Sequence, residues 1–168
     1  SQQLLVLLRA GPAAAAVTHF ARLDLTALVR RLGEEWVPQM LAYGIDFGLA
    51  VPEHPVWVEA DGARLGELLS NLRDNARCYG RSEGRVTLGL TLQRASGARA
   101  RAILYVEDDG PGIAPGELER IFERFYRAPG TVGEGCGLGL AIVRQIAELH
   151  GATLQVISGP GSVGSRFM

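Results

Sequence analysis

The sequence predicts an α+β fold, a two-layer sandwich in which about three main helices cover one face of a mixed, mostly antiparallel sheet. Three stretches carry apolar residues at helical spacing, near residues 25–43, 61–80 and 138–150. Shorter stretches alternate apolar and polar residues, as half-buried strands do. Because helices and strands follow one another irregularly, the sequence does not fit the regular alternation of a doubly wound parallel sheet.

The first helix is predicted to begin after Asp24, whose side chain is suited to cap the amides of a first turn, and to extend to about residue 43. Pro38 lies inside it and is expected to kink it or to make it uneven, because proline lacks the amide hydrogen. The side that faces the core is marked by four residues at four-residue spacing: Leu28, Leu32, Trp36 and Met40.

Two strands, over residues 45–51 and 56–60, come next. They are joined by a turn that begins and ends with a proline, and Asp61 then starts the second helix. In this helix Asn71 and Asn75 lie four residues apart, so both amides share one face, although asparagine is a poor residue for a helix interior. Taken alone, the pair is explained equally well by capping of a neighbouring segment and by a polar function.

A long hairpin is predicted from the alternation in residues 85–93 and 101–108, which a Ser-Gly turn separates. A glycine-rich stretch follows over about 108–139 and contains one short helical segment, residues 115–125.

The last helix covers residues 138–150, stops at Gly151 and is followed by a strand pair, residues 152–158 and 164–168. The chain ends within what resembles an incomplete strand. At the other end, residues 1–16 read as the last turns of an apolar helix that runs into a linker of small residues. We therefore expect the chain to be a piece of a longer protein.

Composition narrows the classes of function. The 168 residues, 47% of them hydrophobic, fit one globular domain, and the net charge of −1 disfavours nucleic acid and anionic membranes as partners. The chain contains no lysine, which excludes a Walker A phosphate loop. Cys78 and Cys136 are too few and too far apart for a disulfide framework or a zinc site, which suits a reducing cytoplasm. No apolar run approaches the roughly 20 residues of a membrane span, and no secretory signal opens the chain.

An acidic residue and two glycines follow the second strand of the hairpin. Asp108, Gly110 and Gly112 surround a proline, and such residues commonly form a simple turn. The alternative is that the carboxylate points inward. A carboxylate at the floor of an apolar pocket can accept a hydrogen bond from an exocyclic amine such as that of adenine, and glycines beside it let a flat ring approach the backbone.

Three glycines, Gly135, Gly137 and Gly139, lie before and at the start of the last helix. They indicate either a flexible loop or an anion site, because the free amides and the positive end of a helix attract phosphate. Their G-x-G-x-G spacing differs from the dinucleotide fingerprint G-x-G-x-x-G, so Rossmann binding is disfavoured.

These motifs occur in an order that resembles a known family, the catalytic ATP-binding domain of sensor histidine kinases, which belongs to the Bergerat-fold ATPases. The resemblance runs from about residue 24 to the end. Four segments look like the family's N, G1, F and G2 boxes, in this order: NLRDNARCYG at 71–80, VEDDGPGI at 106–113, IFERFYR at 121–127 and GEGCGLGL at 133–140.

The resemblance implies that Asn75, assisted by Asn71, holds the Mg²⁺ that bridges the phosphates of ATP, and that Asp108 binds the adenine amine. It implies a flexible lid over about 126–136 that Phe122 and Phe125 anchor. Asn71, Asn75 and Arg127 are the implied catalytic residues, with Arg127 nearest the γ-phosphate. The implied nucleotide-binding residues are Asn75, Tyr79, Asp108, Gly110, Gly112, Ile113, Phe122, Phe125, Arg127, Gly135, Gly137, Leu138, Gly139 and Leu140.

Asn71 also distinguishes branches of the family, because the members that hydrolyse ATP resemble one another in carrying a glutamate base there. An amide cannot accept a proton in this way. The chain therefore resembles a kinase that transfers the γ-phosphoryl group of Mg-ATP to a histidine. A hydrolysing ATPase and a degenerate nucleotide-sensing module without transfer activity are the alternatives.

The chain departs from the family pattern at two positions. Cys78 stands where the N box usually has Lys or Arg, and Cys136 where the G2 box usually has Thr. Arg77, about 100° away around the helix, either compensates by reaching across or leaves the nucleotide affinity lowered. Of the histidines, His19, His54 and His150, none has the context of the family's phosphoacceptor, and His150 is expected to lie at a helix end.

The resemblance also implies a domain organisation. Residues 1–20 are expected to be the tail of an upstream dimerisation helix plus a linker, and residues 21–168 the catalytic ATP-binding domain. The implied partners are the dimerisation and phosphoacceptor domain of the same protein and the receiver domain of a response regulator, with no nucleic acid. We expect a cytoplasmic domain, monomeric by itself, of a homodimeric parent protein in the bacterial inner membrane.

Overall fold

The computed structural model describes residues 3–8, 19–79, 83–94, 100–110, 120, 123, 139–158 and 165–167. For residues 3–8, 78–79, 139, 156–158 and 165–167 it describes the backbone alone. Three helices and eight strands lie within these residues.

Six strands form the main sheet. They are β1 (Gln3–Leu8), β3 (Asp46–Ala50), β5 (Arg85–Gln93), β6 (Arg101–Asp108), β7 (Thr153–Ser158) and β8 (Ser165–Phe167), in the spatial order β3-β5-β6-β1-β7-β8. Strand β3 pairs with β5 in parallel and β1 touches β8 in parallel, while the other described pairings are antiparallel. The predicted mixed, mostly antiparallel sheet is confirmed.

A second, two-stranded sheet pairs β2 (Ala21–Asp24) with β4 (Trp57–Ala60) in antiparallel orientation. Strand β2 had no recognisable signal in the sequence, because four residues are too few to show alternation. The predicted strands over 45–51 and 56–60 exist but belong to different sheets, since β3 pairs with β5.

The predicted hairpin is formed by β5 and β6, which pair from Val86 opposite Asp108 to Gln93 opposite Arg101. Alternate residues of both strands face the helices and are buried: Val86, Leu88, Leu90, Ala102, Leu104 and Val106. Asp108 continues this row by one more position, so its side chain lies on the helix-covered face.

Helix α1 (Leu25–Ala42) begins as predicted at Asp24, whose Oδ1 accepts hydrogen bonds from the amides of Thr26 at 3.0 Å and Ala27 at 3.4 Å. The helix continues through Pro38, which is exposed. Its buried side includes the four residues that the spacing marked: Leu28, Leu32, Trp36 and Met40.

Helices α2 (Gly62–Tyr79) and α3 (Gly139–Leu149) complete the layer. Helix α1 contacts β3 and β5, α2 contacts β6, and α3 contacts β7, so the three helices cover the same sheet. Helix α3 ends as predicted, because Gly151 has a positive φ of 61°. Among the described residues, the helices lack the combination of length and apolarity that crossing a bilayer requires.

One expectation about the start of the chain is wrong. Residues 3–8, which read as the end of a helix, form strand β1 between β6 and β7. A short continuous apolar run is compatible with a buried strand as well as with a helix, and here neighbours on both sides supply the backbone hydrogen bonds. The division of the chain at residues 20 and 21 stays a prediction.

Candidate functional site

Helix α2 presents Asn71 and Asn75 beside its core-facing leucines, and both side chains are half-buried. Asn71 donates a hydrogen bond from Nδ2 to the carbonyl oxygen of Glu67, at 2.9 Å. This bond uses one of the two N–H groups of the amide and fixes its orientation, and Oδ1 is the atom of Asn71 that could bind a cation. The asparagine pair therefore lies on one accessible helix face, as its four-residue spacing predicted.

Asp108 is the last residue of β6 and is only 2% exposed. Its Oδ1 accepts a hydrogen bond from the amide of Gly110, which is also buried, at 2.7 Å. The next residue, Asp109, instead links the end of β6 to the start of β5, because its Oδ1 accepts a hydrogen bond from the amide of Arg85 at 2.9 Å. The carboxylate of Asp108 thus points into the interior, while the predicted turn extends past Gly110 into residues outside the described ranges and stays a prediction.

The elements that carry these residues are neighbours. Helix α2 contacts both β6, which ends at Asp108, and α3, which begins at Gly139. Leu140, the second residue of α3, is buried in the core. The first amides of α3 lack partners within the helix, as at every helix start, so an anion site at this end is chemically reasonable.

Other predicted site residues lie outside the described residues: Gly112, Ile113, Phe122, Phe125, Arg127, Gly135, Gly137 and Leu138. The same holds for the predicted lid over 126–136, with Cys136, and for most of the helical segment over 115–125. For Cys78 and Tyr79 the backbone alone is described, at the end of α2. The roles of these residues stay predictions.

Arg77 contacts the segment that ends α1. Its guanidinium lies over the ring of Tyr43, just after α1, 4.8 Å from the ring centroid. One turn earlier, the guanidinium of Arg73 lies over the ring of Trp36 at 5.1 Å. These two cation–π contacts attach α2 to the α1 segment. Compensation for Cys78 by Arg77 is therefore not supported in this arrangement.

A buried contact between Asp61 and His150 was not predicted. His150 lies just after α3, at the helix end as expected, and is 5% exposed. Its Nε2 accepts a hydrogen bond from the amide of Asp61 at 3.1 Å, and its Nδ1 donates to the carbonyl oxygen of Ile146 at 2.8 Å. Because a backbone amide can only donate, Nε2 carries no proton and the ring is in the neutral Nδ1–H form.

Asp61 itself is 6% exposed and caps α2. Its Oδ1 accepts from the amide of Arg64 at 3.2 Å, and its Oδ2 accepts from the amide of His19 at 3.2 Å. Burial acts to raise the pKa of Asp61, but the hydrogen bonds from the amides of Arg64, His19 and Ala63 hold this pKa below its ordinary value.

A groove of about 700 Å³ runs along the outer side of the seam between α2 and α3. Arg64 and Glu67 line it from α2, and Ile142, Ile146 and Leu149 from α3. The start of α2 therefore lies beside the end of α3, and the two helices pack in antiparallel orientation. Asn71 lies one turn beyond Glu67 on α2.

Comparisons with known proteins agree with the observed fold. The family model described as "Histidine kinase-, DNA gyrase B-, and HSP90-like ATPase" matches residues 60–168. The sensor protein ChvG of Rhizobium meliloti is 39% identical over 153 residues, which cover 86% of this chain and 26% of that protein. The chain thus spans about a quarter of the length of this relative.

Two solved structures are similar in fold. The mycobacterial sensor histidine kinase MprB superposes with a TM-score of 0.69 at 31% identity, covering 89% of this chain and 94% of that one. Full-length ShkA, solved in complex with AMPPNP, gives a TM-score of 0.69 at 33% identity, covering 92% of this chain and 31% of that one. The chain therefore belongs to the family of histidine kinase-, DNA gyrase B- and HSP90-like ATPases, and its relatives within that family are sensor histidine kinases.

Proposed function

We propose that the chain is the ATP-binding catalytic domain of a two-component sensor histidine kinase. It binds Mg-ATP and transfers the γ-phosphoryl group to a histidine on a separate dimerisation domain, from which the group passes to the receiver domain of a response regulator. The observation that carries this proposal is the buried carboxylate of Asp108 at the end of β6, beside the helix that presents Asn71 and Asn75.

The residues present fit an adenine nucleotide. Asp108 lies on the helix-covered face of the sheet, where a carboxylate oxygen would accept a hydrogen bond from the adenine amine. Gly110, which is buried beside it, adds no side chain that would keep a flat ring from the backbone. Tyr79 is the proposed stacking partner of the nucleotide.

The amide oxygens on α2 suit Mg²⁺, a hard ion that takes oxygen ligands and keeps several waters. When bound, the ion would neutralise charge on the phosphates. Asn71 offers Oδ1, since its Nδ2 is bonded to the carbonyl of Glu67. Asn75, one turn later, is the second proposed ligand. Arg127 is proposed to stabilise the charge that develops on the transferred group.

Asn71 also favours transfer over hydrolysis. A hydrolytic reaction needs a base that activates water, whereas a neutral imidazole is already a nucleophile. A degenerate nucleotide-sensing module is the second candidate, because Arg77 is stacked on Tyr43 and leaves Cys78 without a replacement cation from that residue. In either case the proposed setting is the cytoplasmic side of a homodimeric protein of the bacterial inner membrane.

A labelling experiment tests the proposal. With γ-labelled ATP and Mg²⁺, the chain by itself should bind nucleotide without becoming labelled, and an added dimerisation domain from the parent protein should acquire acid-labile phosphate. Acid-labile label on the chain itself would contradict the proposal. Nucleotide binding with an unlabelled acceptor domain would favour the sensing module, and steady release of phosphate would favour the hydrolase.

Asp108→Asn is the matched variant. It keeps an oxygen that can accept from the Gly110 amide but removes the charge, so the fold should persist while nucleotide affinity falls. A hydrogen bond to a charged group contributes roughly 1.5 to 3 kcal/mol, or about 10- to 150-fold in affinity. Unchanged affinity in calorimetry would show that Asp108 does not bind the base.

A further inference from the structure

Helices α2 and α3 are joined at one end by a single side chain. His150, directly after α3, accepts a hydrogen bond from the amide of Asp61, directly before α2, at 3.1 Å. The other ring nitrogen donates to the carbonyl oxygen of Ile146, in the last turn of α3, at 2.8 Å. One nitrogen of the buried ring thus links the start of α2 to the end of α3, and the other fixes the ring to the last turn of α3.

The segment that precedes β2 meets the same point. The amide of His19 donates to Oδ2 of Asp61 at 3.2 Å. The ring of Phe20 packs edge-on against the ring of His150, with 4.9 Å between the ring centroids. We call this group of Phe20, Asp61 and His150, together with the His19 amide, the junction. Three separate parts of the chain therefore converge on one buried contact.

The outer side of the helix seam beside the junction is open. The groove of about 700 Å³ lies there, with Arg64 on one wall and Ile146 and Leu149 on the other. The inner side of the seam is packed, since Leu65, Leu68 and Ile146 are buried in the core. The hydrogen bonds of the junction therefore add a directional constraint to this packing at one end of the seam.

The far end of α2 carries the proposed metal ligands. At 1.5 Å per residue, Asn75 lies about 21 Å along the helix from Asp61. A rotation of about 5° at the junction would move Asn75 by roughly 2 Å at this rise. Displacement of a binding group by about 1 Å can reduce an enzyme's rate by about 100-fold, so a rotation of this size would matter.

We propose that Asp61 and His150 are positioning residues for the nucleotide site, and that Phe20 makes the affinity of this site respond to the segment preceding β2. The proposal rests on the nucleotide site proposed above. It adds that the junction sets the relative position of the far ends of α2 and α3, which would contact the ligand.

Two substitutions of His150 test the positioning role. His150→Leu removes the acceptor for the Asp61 amide, whereas His150→Gln retains an acceptor and a donor. The loss of both hydrogen bonds of the ring, with the resulting misplacement, should weaken binding of a non-hydrolysable ATP analogue roughly tenfold in His150→Leu, and His150→Gln should recover most of it. Circular dichroism must first show that each variant is folded at the temperature of the measurement.

Thr26→Val is the matched control. Thr26 is 5% exposed, and its hydroxyl donates to the carbonyl oxygen of His54 at 2.9 Å, so the variant loses a side-chain hydrogen bond of a buried residue as well, but on α1. Its affinity for the analogue should be unchanged. If Thr26→Val weakens binding as much as His150→Leu does, or if folded His150→Leu binds like the parent, the junction has no positioning role.

Phe20→Ala tests the response to the preceding segment. It should weaken binding about threefold, and it should add little further loss in the His150→Leu background, because the two rings act through one contact. Additive losses in the double variant would overturn the coupling.

Hydrogen exchange provides a readout that needs no nucleotide. Faster exchange of amides near Asn71 and Asn75 in His150→Leu, but not in Thr26→Val, would support the junction even if the parent chain failed to bind nucleotide. In that case the proposed function alone would be refuted. Equal exchange in both variants would refute the inference instead.

Discussion

The polar groups at the two ends of α2 differ in burial and in hydrogen bonding. At the start, both carboxylate oxygens of the buried Asp61 and its amide are engaged, by the amides of Arg64 and His19 and by the ring of His150. Toward the other end, Asn71 and Asn75 are half-buried, and Asn71 uses its nitrogen in a bond to the preceding turn. Polar atoms at the start hold the fold together, while the amide oxygen of Asn71 is a proposed ligand of the metal ion.

This difference predicts that variants at the two ends will affect different measurements. Substitutions of Asn71 and Asn75 should change ligand binding at nearly constant stability. Substitutions of Asp61 should first change stability, and should change binding through the geometry of the helix. If variants at both ends changed stability and ligand binding alike, there would be no distinction between a structural and a functional end of α2.

The largest effect is expected for Asn75→Ala, measured as the dissociation constant for ATP with and without Mg²⁺. Loss of a metal ligand should bring the affinity in Mg²⁺ down to the metal-free value, a change of about 10- to 150-fold if one charge-assisted contact is lost. Residual metal-free binding should persist, because Asp108 is unchanged.

Asp74→Ala is the control for that variant. It lies on the adjacent position of the helix, with a half-exposed side chain that pairs with Arg73 at 3.2 Å, and it should leave the Mg²⁺ dependence intact. If Asn75→Ala also kept its Mg²⁺ dependence, the asparagine pair would have to be explained as a structural feature.

Asp61→Ala should reduce the free energy of unfolding by about 2 kcal/mol, because it removes a helix cap and a buried acceptor for the His19 amide. The pKa of Asp61 is held below the ordinary aspartate value of about 3.9, so the native state favours the charged form. The stability that this ionisation contributes is therefore fully present above about pH 5 and is lost as the pH falls through the folded-state pKa.

Urea unfolding of the parent and of Asp61→Ala at several pH values would measure this. The difference between the two should be constant near neutral pH and should shrink below about pH 4. Asp61→Asn, which keeps a capping oxygen but does not titrate, should lose less stability than Asp61→Ala. A difference that grew on acidification would contradict the depressed pKa.

Local patterns were sufficient to predict much of this molecule. Asp61 was recognisable as a helix start, Asn71 and Asn75 as a shared face, and Asp108 as an acid at the end of an alternating strand, because each signal lies within a few residues. The contact of Asp61 with His150 joins positions 89 residues apart, and no local pattern specifies such a pair. The same applies to Arg77 with Tyr43.

Arg77→Ala should have a smaller effect, and the effect should be on stability and not on nucleotide affinity. Removing its stacking on Tyr43 should cost roughly 0.5 to 1 kcal/mol of stability, the range for an exposed cation–π contact. Nucleotide affinity should stay within twofold of the parent, because the guanidinium faces α1. A tenfold loss of affinity would mean that Arg77 reaches the phosphates after all and does compensate for Cys78.

The smallest effect is expected at Gly66, in the interior of α2 between its two ends. A Cβ at Gly66 would meet no atom within 4 Å, so Gly66→Ala should raise the free energy of unfolding by about 0.5 to 1 kcal/mol through the lower entropy of the unfolded chain. Gly33→Ala in α1 is the matched control, because its Cβ would lie 2.9 Å from Cδ1 of Leu49 and would have to displace that side chain. Thermal unfolding should therefore rank Gly66→Ala above Gly33→Ala, and ATP affinity should be unchanged in both. A Gly66→Ala variant that was stabilised but bound ATP more weakly would show that binding requires α2 to bend between Asp61 and Asn75. The structural and the functional end of α2 could then no longer be treated as independent.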